Sequence, residues 1–170
     1  MKQSASLIAF LLLTALSHAG ISISSSTATQ INLEFNLDSH EIRHIQDFSR
    51  ISMPGYGFHE DPGAPALPYY EFKIGIPPYG AAKATVLYHT EEEVELPTRI
   101  APEPYPRTVD GNTIYQYEID EAKYRNSASN ILEALGEHSF RDYHYIPFLV
   151  NPFIYDGHNK LRVITHATIQ

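Results

Sequence analysis

The chain has 170 residues, with 20 acidic against 12 basic side chains, a formal charge of −8 and no cysteine. That balance argues against nucleic acid or an anionic membrane as partner, since both need a basic face. Without cysteine there is no disulfide staple and no catalytic thiol in these residues, so packing must supply the stability, and the 12 Tyr and 8 Phe suit half-buried sheets.

Residues 1–19 carry Lys2, an apolar run from Leu7 to Leu16 and the small-residue site Ser17-His18-Ala19. This reads as an export signal cut after Ala19, and the run is too short to span a bilayer. The expected location is therefore outside the cytoplasm: secreted, periplasmic or at the cell surface. Residues 20–30, rich in Ser and Thr, read as a flexible leader. Ile31, Leu33, Phe35 and Leu37 then alternate with polar residues, the period of a half-buried strand. Residues 42–51 fit a strand or a short helix until Pro54-Gly55 breaks them. Residues 61–68, with three prolines, can be neither helix nor central strand.

Phe72, Ile74 and Ile76 alternate again, and Pro77-Pro78-Tyr79-Gly80 ends that strand. Val86 and Tyr88 begin another. Glu91-Glu92-Glu93 reads as a solvated turn. Pro102, Pro104 and Pro106 at every second position force an extended, polyproline-like loop that carries Tyr105 and Arg107. Tyr115, Tyr117 and Ile119 resume the alternation. One short helix is expected over 128–135, closed by Gly136. Strand character returns from Phe140 to Val150, and a turn at Asp156-Gly157-His158-Asn159 joins the last two strands as a hairpin.

Roughly eight strand candidates and at most one short helix specify an all-β antiparallel β-sandwich, jelly-roll-like, over 31–170. Its expected core includes Phe35, Phe72, Ile74, Ile76, Val86, Tyr117, Phe148, Leu161 and Val163.

One pattern invites a metal. His40-Glu41-Ile42-Arg43-His44 matches H-E-x-x-H, whose zinc chemistry needs a helix to set both imidazoles on one face. A strand pattern precedes it, a Pro-Gly break follows, and no third ligand is evident, so no metal or other cofactor is expected. His59, His89, His138, His144, His158 and His166 are scattered. His144 and His166 lie in strands, where they fit sheet-face neighbours better than ligands.

The ordered series Gly63-Ala64-Pro65-Ala66-Leu67-Pro68, Ile76-Pro77, Ile100-Ala101-Pro102, Phe140-Arg141-Asp142-Tyr143, Asn151-Pro152 and Lys160-Leu161-Arg162-Val163 resembles the N-terminal propeptide of gingipain-type cysteine peptidases over roughly residues 31–170. The G-x-P-x-L-P turn is its most specific member. Where that family usually reads Tyr-Asn-Pro, this chain has Val150-Asn151-Pro152. The resemblance implies a non-catalytic β-sandwich prodomain that assists folding and keeps the peptidase latent until cleaved off. It implies a cognate cysteine peptidase, in cis and downstream, as partner, with this chain a fragment of the precursor or an orphan domain. It also implies an inhibiting loop, here Pro104, Tyr105, Pro106 and Arg107. In such propeptides an Arg a few residues after I-A-P occupies the specificity pocket of the arginine-specific members. The other reading of the residues is a secreted β-sandwich module that binds carbohydrate or a cell-surface partner.

Overall fold

The computed structural model describes residues 20–77, 80–127 and 130–170. The export signal read in 1–19, Pro78 and Tyr79 of the strand-ending break, and the first two residues of the helix expected over 128–135 lie outside the described residues. In chain order the elements are β1 (Gly20–Ser26), β2 (Ile31–Asn36), β3 (Glu41–Ile45), β4 (Phe48–Ser52), β5 (Gly57–Phe58), β6 (Pro68–Ile76), β7 (Val86–Glu95), β8 (Tyr105–Val109), β9 (Asn112–Gln116), α1 (Glu121–Arg125), β10 (Leu132–Ala134), β11 (His138–Phe140), β12 (Tyr143–Val150), β13 (Phe153–Tyr155) and β14 (Lys160–Ile169). Every pairing between these strands is antiparallel. One sheet runs β1-β2-β14-β13 with β7 on the other edge of β14. The second runs β10-β12-β6-β5 with β11 also on β12, and β3–β4 and β8–β9 are separate hairpins. The fold is the expected all-β sandwich, with one short helix among the described residues.

Strand β14 holds the molecule together. One edge pairs with β7 along its whole length; the other pairs first with β13 and then, from His166 to Ile169, with β2. Against β7 the register slips between Ile164 and His166, which makes Thr165 an extra residue, and its Oγ1 lies 2.8 Å from Thr90 Oγ1. One extra residue reverses the facing of all that follow. Leu161 and Val163 therefore enter one core with Ile51, Leu96, Ile100, Tyr124 and Phe153, under the β3–β4 hairpin and α1. Ile164, by ordinary alternation, and Ala167 and Ile169, beyond the slip, enter the other, between the sheets, with Leu33, Phe35, Val150 and Ile154.

In the second sheet Phe72 lies directly opposite Phe148, with the rings stacked at 5.4 Å. Pro147 sits inside β12, an unusual place for a residue without an N–H. Its carbonyl accepts from Leu135 N–H at 3.0 Å, in the gap between β10 and β11. Carbonyl and amide of one residue share a side in an antiparallel strand, so the missing donor faces that gap and breaks no ladder bond.

Several sequence expectations are corrected. Residues 20–30 are not a loose leader throughout: Gly20–Ser26 is a strand paired along β2, where Ile21 packs on the inter-sheet core. Over 130–135, the described part of the expected helix, no helix forms. One forms instead at Glu121–Arg125, where the Asp120 carboxylate accepts from the N–H groups of Ala122 and Lys123, while Leu132–Ala134 pairs with Val150–Phe148 as an edge strand. Glu91–Glu93 is not a turn but the middle of β7, tolerated there because Lys160 meets Glu93 at 3.0 Å and Arg162 meets Glu91 at 3.3 Å across the ladder. Of the expected core, Phe72, Ile74, Ile76 and Val86 are only half-buried, and Tyr117, just past the end of the isolated β8–β9 ribbon, is 44% exposed. His144 and His166 are on different sheets, each beside its own carboxylate, Glu137 at 3.0 Å and Glu34 at 3.1 Å.

The β13–β14 turn forms where expected. Asp156 Oδ1 accepts from the N–H groups of His158 (2.8 Å) and Lys160 (3.1 Å). Burial opposes the charge, but these backbone bonds outweigh it and hold the carboxyl below its ordinary value. Asp156→Ala is expected to cost about 1 kcal/mol in chemical denaturation. Because the folded pKa is depressed, that contribution is complete above the ordinary aspartate value of about 3.9 and fades as pH falls through the lower folded value. The gap between wild type and variant should therefore close in acid.

Candidate functional site

The proline-rich stretch 101–106 is extended, as expected, and the structure shows what holds it. Proline at every second position leaves only Ala101, Glu103 and Tyr105 with N–H groups. Ala101 N–H donates to Ser49 O at 2.9 Å and its carbonyl accepts from Ala66 N–H at 2.9 Å. Glu103 exchanges a pair of 2.8 Å bonds with the Gly63-Ala64 turn, its N–H donating to Ala64 O and its carbonyl accepting from Gly63 N–H. The chain is thus clamped between β4 and the G-x-P-x-L-P segment. Ser49, fully buried, tightens the clamp through its Oγ, which donates to Thr98 O at 3.0 Å.

Gly63 is the tightest point. Its φ of +88 lies in the left-handed region, and a Cβ there would collide with Tyr105 Oη and press on Asp120 Cβ at 3.1 Å. Gly63→Ala is expected to destabilise by about 1–3 kcal/mol, from the backbone conformation and the displaced Tyr105 together. Thermal unfolding measures it, and a loosened β8 should also appear as faster amide exchange at Glu103.

The helix braces the same segment. Tyr124, 1% exposed, donates its hydroxyl to Ile100 O at 2.7 Å, and burial raises that hydroxyl's pKa above the tyrosine norm. The Arg99 guanidinium lies 4.5 Å from the centre of the Tyr124 ring and grips Glu121 with two bonds of 2.8 and 3.2 Å. Lys123 reaches back to Asp61 at 2.5 Å and to Pro62 O at 2.8 Å.

From this braced base the β8–β9 hairpin projects. Its turn, Asp110-Gly111, has φ of +50 and +78, the type I′ arrangement that suits strand twist. Tyr105 is half-buried against Gly63 and Pro104 is half-buried, whereas Pro106 and Arg107 are exposed. Arg107 lies opposite Ile114 within the paired strand, rather than on an irregular loop tip. It makes no ion pair among the described residues. Val109 and Ile114 are each 48% exposed and share its face; Tyr115, on the other face, is 62% exposed. A two-stranded ribbon that leaves this much apolar surface in water has no core of its own to bury it.

Beside the hairpin base is a cleft of about 420 Å³ bounded by Arg43, Arg50, Glu103, Pro104 and Tyr117. Burial raises the Glu103 carboxyl above its ordinary value, opposed by the charges of His59 and Arg50. The cleft was missed from the sequence because its arginines lie in the stretch that fitted strand or helix equally.

His40 to His44 runs from a loop into β3, so Glu41 and His44 point to opposite faces. The His40 ring meets Phe153 edge-on at 5.3 Å and His44 Nδ1 lies 3.0 Å from Thr98 Oγ1. Among the described residues no group of three His, Cys, Asp or Glu is placed to hold a metal ion, and no helix is long and apolar enough to cross a membrane.

No family model and no curated protein sequence matches the chain. Its fold is similar to that in a structure of the complex of Porphyromonas gingivalis RgpB pro- and mature domains, with a TM-score of 0.75 and 15% identity over 88% of this chain and 82% of that one. It is also similar to a structure addressing zymogenic latency of gingipain K from Porphyromonas gingivalis, with a TM-score of 0.68 and 18% identity over 91% and 92% of the two chains. The sandwich implied by the sequence resemblance to gingipain propeptides is thus the fold observed.

Proposed function

We propose that this chain is the prodomain of an exported gingipain-like cysteine peptidase, which it keeps latent and helps to fold until it is cleaved off. The observation that carries this reading is the fold shared, over most of both chains, with the structure of RgpB pro- and mature domains and with that addressing zymogenic latency of gingipain K. The exposed hairpin fits it. The ribbon leaves apolar surface uncovered, its base is clamped by backbone bonds, and Arg107 stands on it without an ion pair among the described residues. A segment held extended before binding loses little entropy on entering a cleft. Arg107 then fills an acidic specificity pocket through its guanidinium fork, with Pro104, Tyr105 and Pro106 leading the chain in. The peptidase is joined in cis. The domain performs no catalysis, and the acidic molecule does not engage nucleic acid.

The test is an inhibition constant for the exported chain against the peptidase domain encoded with it or, in its absence, against arginine- and lysine-specific gingipain catalytic domains. Inhibition below micromolar supports the reading. No binding to any of them would leave a surface-binding module as the better account. Export itself predicts a mature N-terminus at Gly20. Sequencing of the extracellular product checks this, and an intact Met1 there would rule it out.

A further inference from the structure

The face of the β3–β4 hairpin turned away from the core carries a feature that the latency reading does not use. Arg43 and Arg50 lie directly opposite one another on it, and both are exposed. Like charges directly across an antiparallel pair repel. Only one is neutralised internally: Glu41 lies 2.6 Å from Arg43. Arg50 has no carboxylate within ion-pair distance among the described residues, and its guanidinium sits 5.0 Å from the centre of the Tyr117 ring. A guanidinium held over a ring without a carboxylate partner still has N–H donors to offer a planar acid.

Ile45, Phe58, Pro102 and Pro104 supply apolar ground in the same cleft, which the half-buried Glu103 also lines; Arg50 acts on its carboxyl through charge but forms no ion pair with it. Arg50, left without an ion pair among the described residues and set beside this apolar ground, selects a ligand that is acidic at one atom and apolar beside it. A polyanion such as nucleic acid is repelled by the rest of the surface. The cleft also adjoins the β8–β9 hairpin, for Pro104 immediately precedes β8 and Tyr117 immediately follows β9. Whatever body receives Arg107 therefore lies close to the mouth of the cleft.

We infer that the Arg43/Arg50 cleft is a second docking site for the peptidase, taking an Asp or Glu side chain flanked by an apolar residue on the peptidase surface. This rests on the prodomain reading. The hairpin supplies specificity through Arg107, and the cleft fixes the orientation of the prodomain on the enzyme. Its carboxylate also relieves the repulsion between the two arginines, so the site is better satisfied in the complex than in the free chain.

The experiment measures the dissociation constant of the complex with catalytically inactive peptidase, for wild type, Arg50→Gln, Arg50→Lys and the double variant Arg43→Gln/Arg50→Gln. The double variant should bind about 10–100-fold more weakly, with a shallower salt dependence, and Arg50→Lys should fall between. Thermal midpoints should be unchanged or raised, because like charges are removed, which separates lost docking from lost folding. In a second arm, the chain is titrated with the capped peptides Leu-Glu-Leu and Leu-Gln-Leu. The Nε–H resonances of Arg43 and Arg50 and the Tyr117 ring signals should shift only with the acidic peptide, and Arg50→Gln should abolish the shifts.

Tight binding by wild type with the double variant within twofold overturns the cleft and leaves the prodomain reading standing. Absence of any peptide-induced shift overturns it as a carboxylate site. A wild-type chain that does not bind the peptidase overturns the prodomain reading and the occupant named here together.

Discussion

Truncation of Ile164 to Ala is expected to lower the unfolding free energy by about 2–5 kcal/mol, measured by denaturant titration against wild type. Ile164 is 0% exposed, lies beside the extra residue Thr165 in the most heavily paired strand, and packs with Val150, Ile154 and Phe35 between the sheets. Its neighbours are held by pairing on both edges of β14, so the void cannot easily collapse, and a cost in the upper part of that range follows. Ile164→Val removes one methylene and should cost about 0.5–1.5 kcal/mol. Ile74→Ala serves as contrast. Its alternation marks it as core, but it is only half-buried, and it should cost less than Ile164→Ala. Equal losses at the two positions would show that the inter-sheet core is not organised around β14.

Arg107→Ala is expected to raise the inhibition constant against the partner peptidase by about 30-fold or more, equivalent to about 2 kcal/mol, the scale of a buried interface anchor. The fold should be almost unaffected. Arg107 is exposed, lies opposite Ile114 on a two-stranded ribbon, and makes no ion pair among the described residues. A lysine in its place keeps the charge but loses the bidentate fork, so Arg107→Lys should recover only part of the inhibition against an arginine-specific enzyme. An unchanged constant for Arg107→Ala would remove the residue from the mechanism without touching the prodomain reading. Gly63→Ala should weaken inhibition as well as stability, because Gly63 and Glu103 hold the stretch that leads into β8. The two variants thus distinguish loss of the anchor from loss of the brace.

Much of the architecture is legible in the sequence because it depends on local chemistry. Alternation of Ile31, Leu33 and Phe35 with polar neighbours marks the buried face of β2. Prolines at 102, 104 and 106 dictate an extended chain whatever surrounds it, since each fixes its own φ and restricts the residue before it. Asp156-Gly157 places the last hairpin, and the ordered turn motifs imply a sandwich, which is the fold observed.

What the sequence leaves open depends on partners far away along the chain. The uniform period of Leu161, Val163, Ala167 and Ile169 reads as one face; only pairing with β7 shows that Thr165 is an extra residue and that the two halves of β14 face different cores. Glu91 to Glu93 reads as a turn until Lys160 and Arg162 are found opposite it. The position of the helix was settled by the Asp120 cap and by burial of Tyr124 beneath Arg99, and residues 132–134 became a strand because β12 offered an edge. Arg43 and Arg50 are seven positions apart in an ambiguous stretch, and they become one charged site only when the β3–β4 register sets them face to face beside Tyr117. Periodicity determines which residues share a face, whereas register and sheet order decide what that face meets, because both are set by contacts between segments distant in the chain.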